Sequence, residues 1–159
     1  MLLSKRHFLL GLAALGGCGF EPVYGTGGTA NALRGNVQMD APRNRDEFRL
    51  NEQLELRLGR SVAPKYGLSV TLATRIEALA ISGSNDISRF NFIGSAAFTL
   101  RDLATGQAVF SDEVDTFTAF SASAQPVATL AAQRDAQARL SLILADEIVT
   151  LLLLNADQL

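Results

Sequence analysis

Leu68-Ser69-Val70-Thr71-Leu72-Ala73-Thr74-Arg75-Ile76-Glu77-Ala78 decides the fold. Leu68, Val70, Leu72, Thr74, Ile76 and Ala78 fall on one side of an extended chain, and Ser69, Thr71, Arg75 and Glu77 on the other. Alternation with period two over this length is a strand with one covered face. The rhythm returns twice. Phe90, Phe92, Gly94, Ala96, Phe98 and Leu100 share a side; further on, between Ala108 and Phe120, Phe110, Val114 and Phe120 oppose Glu113, Asp115 and Phe117. The separators, Ser82-Gly83-Ser84-Asn85-Asp86 and Asp102 to Gly106, have turn composition. Connections this short join antiparallel neighbours, so the stretch predicts a three-stranded meander.

Before the meander, Leu33, Val37 and Met39 suggest a short strand that ends ahead of Pro42. Asn44 with Glu47 has the spacing of a capping box, and Asp46 adds an acid at a helix amino end. The spacing predicts a helix from Arg45 to Leu58, closed by Gly59. Leu50, Leu54 and Leu58 form one apolar stripe, while Phe48 and Leu56 fall well away from it. A helix apolar on two sides has two things to cover them. After the meander, Pro126 opens a long helix to Leu154, with Leu130, Leu144, Ala145, Ile148, Leu151 and Leu152 as its core stripe. Asp135 and Arg139 are spaced as an i,i+4 pair, and Arg134 lies close to the stripe as a snorkelling side chain. The order β-α-β-β-β-α then gives an α+β fold: a two-layer sandwich, two helices packed on one face of a four-stranded, mostly antiparallel sheet.

The chain begins differently. Met1 to His7 is short and positive, Phe8 to Leu15 is apolar apart from Gly11, and Gly16 and Gly17 precede Cys18. These are the three parts of a secretory signal. The apolar run, about ten residues, falls short of the roughly 20 that span a bilayer. Leu15-Gly16-Gly17-Cys18 resembles the bacterial lipobox, cut before a cysteine that then carries lipid. In that pattern Gly19, where inner-membrane lipoproteins hold aspartate, favours the outer membrane. Ser4-Lys5-Arg6-His7-Phe8-Leu9 is also similar to a twin-arginine export signal with lysine for the first arginine, so either export route fits. The chain divides into a lipoprotein signal peptide (1–17, removed), a lipidated flexible tether (18–32) and an α+β domain (33–159). Pro22, Gly25, Gly27 and Gly28 give the tether little helix or strand of its own, whereas Phe20 and Tyr24 have the character to dock on the domain.

Composition excludes more than it suggests. Hydrophobic residues make up 48% and charged residues 19%, enough to fill one core. The net charge is −2, and removal of Lys5 and Arg6 with the signal leaves −4, so no basic excess points to nucleic acid. Cys18 is the only cysteine and His7 the only histidine. No internal disulfide, Ser-His-Asp set or Cys-His nucleophile can be assembled, and zinc and copper lose their usual ligands. Lys65 sits in a Pro-Lys-Tyr-Gly turn without a serine motif, and no phosphate loop is present. Asp112, Glu113 and Asp115 crowd one strand and read as a solvated face. The chain is thus read as a non-enzyme with no metal and no cofactor beyond the covalent lipid on Cys18.

Cys18-Gly19-Phe20-Glu21-Pro22-Val23-Tyr24-Gly25 resembles the start of the mature lipopolysaccharide-assembly lipoproteins of the LptE family. Ser88-Arg89-Phe90-Asn91-Phe92, running into Ala96-Ala97-Phe98-Thr99-Leu100 and Thr105-Gly106, is similar to that family's central hairpin. Ala131, Asp135-Ala136, Arg139-Leu140 and Ile148 are similar to its closing helix. The resemblance implies a partner and plug of the LptD outer-membrane barrel. Such a protein assists the barrel's assembly and the delivery of lipopolysaccharide to the outer leaflet. It implies an outer-membrane location, lipid-anchored, on the periplasmic side and within the partner barrel. The family's lipopolysaccharide contacts are basic residues on the sheet and its loops. Arg89 falls in a matching segment; Arg75 and Arg101 join it as candidates because they lie on a strand and at a strand end. The alternative reading is a periplasm-facing outer-membrane lipoprotein for another apolar or cell-wall ligand. That reading asks for a closed apolar cavity of about 300 Å³ or more, whereas a solid core with apolar patches outside favours the barrel partner.

Overall fold

The three long alternating segments and the two helix-periodic segments form the elements their patterns predict, whereas the short strand expected to include Leu33 is confined to Val37–Met39, with Leu33 on a helical turn before it. The computed structural model describes residues 30–81 and 87–156. The signal segment, Cys18, Phe20, Tyr24 and the turn Ser82–Asp86 lie outside them. In chain order the elements are α1 (Ala30–Leu33), β1 (Val37–Met39), α2 (Arg45–Leu58), β2 (Tyr66–Ile81), β3 (Ile87–Asp102), β4 (Ala108–Ser121) and α3 (Pro126–Leu154). The one-turn α1 falls at the junction where the tether was expected to meet the domain, and its Leu33 is fully buried.

The sheet has the order β1-β2-β3-β4. β1 runs parallel to β2, with Val37 opposite Tyr66; β2, β3 and β4 are antiparallel, with Leu68, Leu100 and Phe110 in one row. Both longer helices lie on the face that carries Leu68, Phe98 and Val114, so the domain is the expected two-layer α+β arrangement.

Local chemistry sets the helix ends. Asn44 Oδ1 accepts from the N–H groups of Asp46 and Glu47 at 3.0 and 2.9 Å, satisfying two orphan donors of α2. Glu47 does not fold back on Asn44 as a capping box would. Its Oε2 accepts from the N–H of Arg43 at 2.8 Å, its Oε1 from Arg43 Nη2 at 2.7 Å and from the Leu72 N–H at 3.4 Å. A buried carboxylate is thereby satisfied while it fastens the helix start to β2. Gly59 ends α2 at φ 79°, in the left-handed region that a side chain disfavours.

The core is one cluster. Leu50, Leu54 and Leu58 of α2 meet Leu140, Leu144, Ile148 and Leu152 of α3 over Leu68, Phe98 and Leu100 of the sheet. Gly94 allows the closest approach: a Cβ there would lie 2.7 Å from Leu140 Cδ2. Thr118, a buried polar residue on the core face of β4, donates to the Ala136 carbonyl at 2.8 Å. One expectation is corrected. Leu130 is not part of the core stripe of α3 but 52% exposed, because the first turns of α3 run ahead of the packed surface and complete burial begins at Ala136.

Candidate functional site

Length mismatch creates the most unusual surface. β2 and β3 have 16 residues each, about 53 Å of strand. α2 has 14 residues, about 21 Å of helix. Its first turn lies over Leu72, where Glu47 meets the backbone, so no part of α2 covers β2 beyond that point. Thr74 and Ala78, placed by alternation on the core side, are exposed there, and Ile76 is 45% exposed. The pattern assigned these residues to the right face, but burial needed a helix long enough to cover it.

The opposite face of the same half is also open. Arg75, Ile93 and Phe117 form one cross-strand row, and Phe117 is 59% exposed. Glu77, Asn91 and Ala119 form the next row. Leu79, 52% exposed, sits where the register shifts by one residue between Ala78 and Ala80. The projecting half of β2 is thus uncovered on both sides, with exposed apolar side chains on each and the charged Arg75 and Glu77 on the outer one. Ile76, Leu79 and Phe117 were not marked as functional from the sequence; the signal available was a strand longer than the helix above it.

The three candidate arginines do not form one cluster. Arg75 and Arg89 lie on the same outer face of the projecting half: Arg75 opposes Ile93, four residues along β3 from Arg89, about 13 Å. Arg89 is exposed. Arg75 is also exposed and shares its charge with Glu77 at 2.9 Å. Arg101 is at the other end of the strand, eight residues from Ile93, about 26 Å away. There its guanidinium makes two hydrogen bonds to Asp40, of 2.8 and 2.5 Å. The hydrogen bond from Arg101 holds the Asp40 carboxyl below its usual range, and Asp40 in turn raises Arg101. Arg101 is therefore committed to an internal ion pair, while Arg89 is offered to solvent.

The acidic strand residues Asp112, Glu113 and Asp115 are exposed, and Glu113 accepts a hydrogen bond from Ser95. Surface hollows of about 240, 360 and 400 Å³ flank the domain: beside Phe48 on α2, between Val114 and Leu151, and along β1. The 400 Å³ hollow includes Arg60, Ser61 and Glu55 in its wall and is an open, polar groove rather than a closed apolar cavity. Among the described residues no helix is long and apolar enough to cross a membrane.

Three comparisons place this geometry among known proteins. A family model described as "LptE: Lipopolysaccharide-assembly" matches residues 35–152. A solved candidate lipoprotein of Caulobacter crescentus superposes with a TM-score of 0.70 at 23% identity, covering 84% of this chain and 98% of that one. Rare lipoprotein B of Shewanella oneidensis gives 0.55 at 12% identity, covering 72% and 89%. A minor lipoprotein of Acinetobacter baumannii gives 0.54 at 17%, covering 75% and 89%. At these identities the structural likeness concerns the fold. No curated protein matches the chain.

Proposed function

Because the chain belongs to the LptE family of lipopolysaccharide-assembly proteins, we propose that it is the partner and plug of an LptD-type outer-membrane barrel. In this reading it assists the barrel's assembly and the passage of lipopolysaccharide to the outer leaflet. It is held on the periplasmic side by lipid on Cys18, after removal of residues 1–17. The family is non-enzymatic, and the role is one of binding and assembly.

The observation that carries the reading is the projecting half of β2 and the open outer face of the sheet beside it. Exposed Ile76, Leu79 and Phe117 offer apolar surface outside a filled core, which suits a large partner or an acyl chain. Arg75 and Arg89 stand on one face of that surface, and guanidinium groups pair bidentately with phosphate. The reading with another apolar or cell-wall ligand would gain from a closed cavity; the hollows described are open to solvent.

The test is co-purification. Tagged protein extracted in mild detergent should bring down a large outer-membrane barrel, and depletion of the protein should leave that barrel misassembled. Recovery of the tagged protein alone, with normal barrel levels after depletion, would overturn the proposal. Cys18→Ala should abolish lipid labelling; normal labelling of that variant would remove the anchor from the reading.

A further inference from the structure

β1 is an edge strand, and among the described residues nothing pairs with its outer side. The carbonyl of Asn36 accepts from the N–H of Tyr66, and the N–H of Asp40 donates to Leu68, so the backbone groups of residues 36, 38 and 40 face β2. Strand alternation turns the N–H and C=O groups of Val37 and Met39 the other way, where no strand is paired among the described residues. Beside this edge the 240 and 400 Å³ hollows share Met39 and Glu55, making one groove between β1 and the flank of α2. Phe48, the second apolar side of α2, is 59% exposed on its rim.

The chain itself supplies a segment that can reach this groove and bring an apolar side to Phe48. The N–H of Gly35 donates to the Leu58 carbonyl at 2.8 Å, so the chain leading into β1 is pinned beside the carboxyl end of α2. That end adjoins the Glu55–Arg60 part of the groove. Tyr24 is six residues before Ala30, a reach of up to about 20 Å, and Phe20 ten residues, up to about 33 Å. From Glu55 to Phe48 the groove follows α2 for about 10 Å. Both rings can therefore reach it.

We propose that Phe20-Glu21-Pro22-Val23-Tyr24 adds to the outer edge of β1 as a fifth strand running parallel to it, in the manner of an edge-adding peptide. Glu21 and Val23 turn their backbone groups to Val37 and Met39. Pro22, which lacks an N–H, then faces outward, the orientation in which an edge strand tolerates proline. Phe20, Pro22 and Tyr24 share the side toward α2 and cover Phe48, giving the second apolar side of that helix its partner. The Tyr24 hydroxyl has the carboxylates of Glu52 and Glu55 within the groove as acceptors. The pairing also fixes the domain close to the lipid anchor on Cys18.

The experiment is amide hydrogen exchange on the lipoprotein in detergent micelles, read residue by residue. The Val37 and Met39 amides should exchange at least tenfold more slowly than in a Phe20→Ser, Tyr24→Ser variant. The amides of Gln38 and Asp40, which face β2, should be protected equally in both and so report an intact domain. Val23→Pro, which keeps the rings but removes a paired N–H, should release the same two amides. Fast exchange of Val37 and Met39 in the unaltered protein, or protection that survives these substitutions, overturns the proposal. So does protection that appears only with a bound barrel or a second copy, since the edge then belongs to that partner.

Discussion

Arg101 and Asp40 are joined across a strand to which neither belongs. Arg101 leaves β3, passes over the bare Cα of Gly67 on β2, and grips Asp40, just past the end of β1, with two hydrogen bonds of 2.8 and 2.5 Å. A Cβ on Gly67 would stand 2.9 Å from the Arg101 Cζ, so the glycine is the gap through which the ion pair closes.

Gly67→Ala should therefore weaken the domain by displacing the guanidinium. The pair is half-exposed, so the loss is on the order of 0.5–1 kcal/mol in urea unfolding. In an Arg101→Ala background the same glycine substitution should cost nothing, because the side chain it displaces is gone. Equal costs in both backgrounds would show that the glycine serves something else.

Glu47 gathers its bonds inside the domain. Glu47→Ala removes the acceptor for the Arg43 and Leu72 N–H groups and for the Arg43 guanidinium. The expected loss is about 2 kcal/mol, that of a charged hydrogen-bonded group. Glu47→Gln should cost less, since its carbonyl oxygen still accepts. A denaturant midpoint unchanged by Glu47→Ala would contradict this account.

Gly94 tests the packing between sheet and helix. Gly94→Ala places a methyl 2.7 Å from Leu140 Cδ2 and 3.3 Å from Leu144 Cδ1, an overpacking worth about 1–3 kcal/mol. Leu140→Ala alone should cost about 2–5 kcal/mol through a cavity. Together the two should cost less than their sum, because each relieves the other. Strict additivity in thermal unfolding would count against direct contact.

Acid should unfold the domain through a small set of carboxylates. Asp40 is held low by its hydrogen bond from Arg101, Glu47 by Arg43, Asp102 by the Thr105 backbone N–H, and Asp146 by Arg57. In the unfolded chain these groups titrate at about 3.9 for Asp and about 4.3 for Glu. The folded state thus binds fewer protons in that range, and its stability rises with pH there. The contribution is complete above those values and is lost as pH falls through the lowered folded ones. With no histidine after His7, the urea midpoint should be nearly flat from pH 5.5 to 8 and drop below about 4. A midpoint that changes mainly near pH 6.5 would contradict this.

Arg75 and Arg89 should separate from Arg101 in ligand binding. If lipopolysaccharide phosphate lies against the projecting half, Arg75→Ala with Arg89→Ala should reduce capture of lipopolysaccharide about tenfold, the loss of charge-assisted bonds. Arg101→Ala should affect stability more than capture. A greater loss of capture from Arg101→Ala would move the site to the other end of the sheet.

The sequence by itself determined the elements and their order. Alternation from Leu68 to Ala78, the Asn44 cap, Gly59 and Pro126 are local signals, and periodicity, caps and φ preferences act within a few residues. It also carried the family, because the matching segments are contiguous in the chain. Tertiary structure decided what those faces meet. Whether Ile76 and Leu130 are buried depends on where α2 begins over β2 and where α3 reaches the sheet, positions compared across elements distant in sequence. Arg75, Arg89 and Arg101 look equivalent in the chain, yet pairing leaves Arg89 exposed and gives Arg101 to Asp40, 61 residues away. Burial and charge pairing are properties of the packed layers, and no window along the chain contains both partners.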